Sequence, residues 1–192
     1  MTVRDKIVEY LHRDENKRVA GRYWQSDLSS IFGGYMKPKD FFSKGEDIVD
    51  NAEIVCEGMA KENMLAAVFQ KTGVDCYCGE EKLYGEKAQK KYILDIADGV
   101  TLVVKPDFEF PTKVWETKNP LNWDDYTTIK PSYKYQCEAE YRATGKQAFL
   151  GYFVPKRIVP ILVGYTPDDK LWEEIKKKLI NFDKKVRELC QQ

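Results

Sequence analysis

Val100–Pro120, VTLVVKPDFEFPTKVWETKNP, decides how this chain is read. An acid, Asp107, stands at the end of one apolar run, and Glu116-Thr117-Lys118 follows nine residues later inside a second. Strand side chains alternate faces, so Glu116 and Lys118 share one face and Thr117 takes the other. Two carboxylates and an ammonium can then converge at one edge of a sheet. That trio suits a hard cation such as Mg²⁺, which takes one or two carboxylates and keeps its waters, with the ammonium steadying a charged phosphate. With 31 acids and 31 bases in 192 residues, such letters also arise by chance. Both halves sit in β-rich runs rather than in charged helices, and this favours the functional reading over an ordinary surface hairpin.

The length predicts one domain, residues 1–192, with a sizeable core. An apolar content of 43% with 13% aromatics excludes a disordered chain. No apolar run is long enough for a membrane span, and the charged N-terminus lacks the apolar segment of a signal peptide. The five cysteines, Cys56, Cys76, Cys78, Cys137 and Cys190, are odd in number and irregular in spacing, which argues against a disulfide framework. Cys76-Tyr77-Cys78 lacks the two-residue gap of structural zinc sites, and the single histidine, His12, reads as a solvent or capping residue. Free thiols fit a reducing, intracellular (cytoplasmic) setting. Net charge is zero, so any affinity for nucleic acid must be local. Candidate local charge is Lys82, Lys87, Lys90 and Lys91 before the acid motif, and Lys130, Lys134 and Arg142 after it. Each cluster taken singly reads as a solvated face.

Apolar periodicity predicts a short helix at 1–13, a second opened by Ser26-Asp27-Leu28 and ending near Gly33-Gly34, and a long one from about 46 to 70 closed by Gly73. Strands are expected at 74–78, 92–96, 100–105 and 113–118, with turns at Gly79, Asp98-Gly99 and Pro111. Pro131 opens a helix running to about Thr144-Gly145. Strands at 148–154 and 158–165 and a final helix at about 168–190 complete the chain. This order predicts an α/β class core, a central mixed sheet with helices on its faces.

Two helices carry further polar candidates. Glu62 lies at the edge of an apolar stripe, four residues after Gly58, and a carboxylate there needs a partner such as a lysine or a metal ion. Tyr133, Gln136, Cys137, Glu140, Tyr141 and Thr144 form one continuous helical face on which Gln136 and Glu140 are polar. A glutamine there can hydrogen-bond a lysine, a water or a phosphate.

Gly58 and Glu62 on a helix, Pro106-Asp107, Glu116-x-Lys118 and then the Gln136 helix, in this order, resemble the PD-(D/E)XK nuclease superfamily. The match is with its RecB-like exonuclease branch, to which CRISPR-associated RecB-like exonucleases and many viral and phage nucleases belong. Ser26-Asp27-Leu28 is similar to the short helix that opens many members, and the resemblance spans about residues 24–165. It implies a restriction-endonuclease-like core and a metal-dependent deoxyribonuclease of exonuclease type, acting on single- or double-stranded DNA. By the same resemblance, Asp107 and Glu116 bind Mg²⁺ or Mn²⁺ with help from the backbone carbonyl after Glu116, and Glu62 completes the site. Lys118 then orients the attacking water or offsets developing charge, and Gln136 holds a phosphate or Lys118. Glu140, Tyr141 and Lys134 are candidate substrate contacts.

The chain departs from that branch in three ways. Glu62 stands where a histidine is common. Glu140 occupies the position four residues after Gln136, with Tyr141 one further. The early and late cysteines of iron–sulfur relatives are missing apart from Cys190, so no iron–sulfur cluster is expected. Two rival readings stand beside the nuclease. One is a catalytically inactive nucleic-acid-binding module on the same scaffold. The other is an assembly protein, because Trp172, Ile175, Leu179, Phe182, Val186 and Leu189 repeat at coiled-coil spacing and could join copies as a homo-oligomer. An amphipathic helix packed on its own sheet gives the same pattern.

Overall fold

Asp98-Gly99 folds the chain back on itself, with Gly99 in the left-handed region (φ 68°), and joins two antiparallel strands, β3 (Tyr92–Ala97) and β4 (Val100–Val104). A third strand, β1 (Arg22–Trp24), lies parallel to β4, so the order in this sheet is β1-β4-β3. A second, five-stranded sheet has the order β2 (Tyr77–Cys78), β5 (Phe108–Glu109), β6 (Lys113–Lys118), β7 (Gln147–Tyr152), β8 (Ile161–Gly164). Within it β6 and β7 are parallel and the other neighbours antiparallel. The helices are α1 (Gln25–Phe32), α2 (Ile48–Thr72), α3 (Pro131–Thr144) and α4 (Asp169–Cys190). The computed structural model describes residues 18–42, 48–120 and 125–191, without the side chains of 48–55. The helix expected at 1–13, with His12, and the first part of the α2 stripe lie outside the described residues.

The chain is thus an α/β protein with mixed sheets flanked by helices. The single central sheet expected from the sequence is instead divided in two. The division falls at Lys105–Asp107 and has a local cause. Pro106 has no N–H to continue a ladder, and the Lys105 N–H donates to the Gln25 side chain at 3.0 Å rather than to a strand. The chain leaves one sheet there and enters the other at β5.

Strand β6 carries the key triplet and is buried from Val114 to Thr117, as a strand covered on both faces should be. Helix α3 begins with Pro131 at its first turn and ends at Gly145, whose left-handed conformation (φ 67°) lets its N–H reach Tyr141 O at 2.8 Å. Helix α1 starts earlier than expected, at Gln25. Asp27 caps it from inside the first turn, accepting from the Trp24 N–H at 2.9 Å while pairing with Arg18 at 2.7 Å.

The apolar stripe of α4 faces this chain's own core. Ile175, Leu179, Phe182 and Val186 are buried with Tyr23, Leu28, Phe41 and Leu102, while Leu189 stays 43% exposed. Asp183 fastens α4 to β1, accepting from Gly21 N at 2.7 Å and Tyr23 OH at 2.8 Å and pairing with Arg187 at 2.5 Å. No described helix is long and apolar enough to cross a membrane.

Candidate active site

Alternation along β6 sets the site. Glu116 is buried, at 3% exposure, and three groups hold it. Gln25 Nε2 donates to Glu116 Oε2 at 2.7 Å, Gln136 Nε2 donates to Oε1 at 3.0 Å, and the Lys118 ammonium pairs with the same Oε1. Glu116 and Lys118 therefore act as same-face neighbours, as the strand period requires.

Thr117 points the other way and gathers the remaining acids. Its N–H and its hydroxyl both reach Asp107 Oδ2 at 2.7 Å, and the hydroxyl oxygen lies 2.9 Å from Glu62 Oε1. A hydroxyl has one proton to give, so both short contacts are hydrogen bonds only when one of the two carboxyls is protonated. Burial supplies that condition. Burial pushes Glu62 up to about 7 despite the Thr117 hydrogen bond and the nearby Lys118. Burial, followed by the charges of Glu62 and Glu116, pushes Asp107 well above the usual carboxylate range. Burial alone would lower the Lys118 ammonium; Glu116, Asp107 and Glu62 outweigh it and raise it. The three acids and the lysine thus feel one another's charge across the end of β6. They form two hydrogen-bonded pairs around the strand rather than one convergent face, which corrects the simple picture of three groups on one side.

A cleft of about 160 Å³ opens on the Asp107 pair, lined by Glu62, Asn63, Glu80, Gln89, Lys105 and Asp107 among others. Glu116 and Lys118 are not on its wall. Asp107 Oδ1 and Glu62 Oε2 accept no hydrogen bond among the described residues. Hard oxygen donors with free lone pairs, crowded enough to resist joint ionisation, fit a hydrated divalent cation. Among the described residues no three His, Cys, Asp or Glu side chains form a ready metal cage, so an ion here would rely on water and backbone oxygen for its remaining ligands.

The other candidates fall in different places. Gln136 reaches the site but binds Glu116 rather than Lys118 or open space. Glu140 is fully buried, with Oε1 accepting from Gln25 Nε2 at 3.0 Å and Oε2 unpartnered, so it is walled off from any substrate. Burial and then the charge of Glu116 push Glu140 well above its usual range, toward the neutral acid. Tyr141 packs against a separate cluster of Val114, Cys137, Leu150 and Tyr152. Lys134 is exposed on α3. Gly58 makes no close approach to another backbone: an added Cβ would meet only Asn119 Cβ at 3.9 Å.

Sequence reasoning missed Gln25, which joins Glu116, Glu140 and the β4 end at Lys105. It also missed Thr117 as the hub of the second pair. The alternation rule placed Thr117 on the far face, and a hydroxyl among acids was the available signal.

No family model matches the chain, and no curated protein does. Among solved structures the crystal structure of SSO0001 is similar in fold, with a TM-score of 0.62 and 14% identity, covering 93% of this chain and 82% of that one.

Proposed function

We propose that the chain is a metal-dependent nuclease of the PD-(D/E)XK superfamily, in its RecB-like branch, hydrolysing phosphodiester bonds of DNA from an end. One observation carries this reading: Asp107, Glu116, Lys118 and Glu62, drawn from α2, β6 and the β4–β5 link, gather around the end of one strand, Asp107 and Glu62 through Thr117 and Lys118 through Glu116. The passage from a long helix through a β-hairpin to the Glu-x-Lys strand and the glutamine-bearing helix supports a restriction-endonuclease-like core.

Asp107 and Glu62 would hold Mg²⁺ or Mn²⁺ at the cleft with the Thr117 carbonyl as a further oxygen donor, and Glu116 would join them on giving up one of its protein donors. When bound, the ion polarises the phosphoryl oxygen and lowers the pKa of water. Lys118 stays an ammonium in this acidic setting, ready to donate to the attacking water or to the charge developing on the phosphate. Gln136 and Gln25 fix the two oxygens of Glu116. Asp107→Ala, Glu116→Ala and Lys118→Ala should each abolish metal-dependent cleavage while the circular-dichroism spectrum is kept. Cleavage retained in all three removes the assignment.

The second reading is a binding module without turnover. It is favoured by the lack of a three-ligand group among the described residues and by the saturation of Glu116 with protein donors. DNA binding that persists in EDTA, with no cleavage in Mn²⁺, selects it.

A further inference from the structure

The three-stranded sheet has two faces of unlike chemistry. Tyr23, Leu102, Val104 and Leu94 enter the core. The alternate residues lie on the opposite face, where Val103 is buried and its neighbours are partly or fully exposed, and the strand registers arrange them in rows. Arg22 lies beside Thr101 and Asp95, and Trp24 beside Val103 and Ile93. Lys91 and Lys105 lie just beyond the last pair of this hairpin, Tyr92 with Val104. Ile93 is 62% exposed, and Arg22 and Lys91 are exposed. The half-buried Trp24 ring has two cations near it, with Arg22 Cζ at 5.7 Å and Lys91 Nζ at 5.2 Å from its centroid. Arg22, Lys91 and Lys105 make no ion pair among the described residues, and Asp95 is the one acid in these rows. On a chain of zero net charge this is a local positive field around an aromatic plate.

The rows also lead somewhere. Lys105, at one end of this face, lines the cleft that contains Glu62 and Asp107. The Lys105 charge weakly favours the ionised form of Glu62.

We infer that this outer sheet face is a docking surface for single-stranded DNA, with Trp24 stacking on a base and Arg22, Lys91 and Lys105 meeting successive phosphates. An indole with cations beside it is the combination that holds an unpaired strand, since stacking on Trp24 needs a base freed from its partner. That the strand then enters the cleft rests on the nuclease reading above; the docking itself does not.

The test is fluorescence anisotropy of a labelled oligo-dT in EDTA, which prevents cleavage. Trp24→Ala is expected to weaken binding about ten- to a hundred-fold, the usual range for losing one stacked base. Trp24→Phe should recover most of it. The double variant Arg22→Ala/Lys91→Ala, altered only at exposed positions, should flatten the dependence of log Kd on log salt by about 1.4, or about 0.7 per cation removed on a single strand. Wild-type affinity and slope in both Trp24→Ala and the double variant would overturn the surface, as would no binding by wild type. Tighter binding of a duplex, equally weakened by the variants, would overturn the single-strand occupant. The two readings fail separately. Variant-sensitive binding without any cleavage in Mg²⁺ or Mn²⁺ keeps the surface and sinks the nuclease. Cleavage with variant-insensitive binding does the reverse.

Discussion

Gln25 is the residue on which the geometry of the site turns. One amide donates to two buried carboxyls and accepts the backbone N–H that ends β4. Gln25→Ala would leave those groups unpaired in a dry interior, so it should destabilise by about 1–3 kcal/mol in urea unfolding. Glu140→Gln keeps an acceptor for that amide and replaces an acid already driven toward neutrality, so its stability should stay within about 1 kcal/mol of wild type. The Glu62 carboxyl gives a pH signature. Its folded value of about 7 lies above the ordinary one, so between them the unfolded chain has released a proton that the folded chain keeps. Stability of the metal-free protein should therefore fall as pH rises through that window, and Glu62→Gln should flatten the fall. A midpoint that rises with pH there would contradict the burial argument. The same-face pairing of Glu116 with Lys118 was legible from the period of a strand. Gln25 was not, because its partners lie 91 and 115 residues away and nothing at a helix start announces them.

At the scale of elements, apolar period and turn residues predicted the hairpin at Asp98-Gly99, strand β6 and helices α2, α3 and α4 close to where they occur. Strands β1 and β5 escaped, being three and two residues long, too short to display alternation. The division into two sheets was also hidden, because strand order depends on contacts around Pro106 rather than on any local pattern. The coiled-coil spacing of α4 was legible but ambiguous, and packing resolves what the stripe does within this chain. Leu179→Ala should cost about 2–5 kcal/mol as a buried truncation, and Leu189→Ala should stay within about 0.5 kcal/mol, both read by chemical unfolding. Asp183→Ala should cost about 2–4 kcal/mol by freeing the buried Gly21 N–H and Tyr23 hydroxyl that tie β1 to α4.

Taken as a whole, the molecule gathers Glu62, Asp107, Glu116 and Glu140 near the junction where the chain passes from one sheet to the other. Mutual repulsion there costs stability in the absence of a cation. Asp107→Asn should accordingly raise the metal-free urea midpoint, and Mg²⁺ should stabilise the wild type but not that variant. The most direct test of the account is cleavage of end-labelled single- and double-stranded DNA in Mg²⁺, Mn²⁺ or EDTA, comparing wild type with Glu116→Ala. Metal-dependent shortening from an end is expected for wild type and none for the variant. Intact substrate with folded wild type under every metal, or equal cleavage by Glu116→Ala, would contradict it.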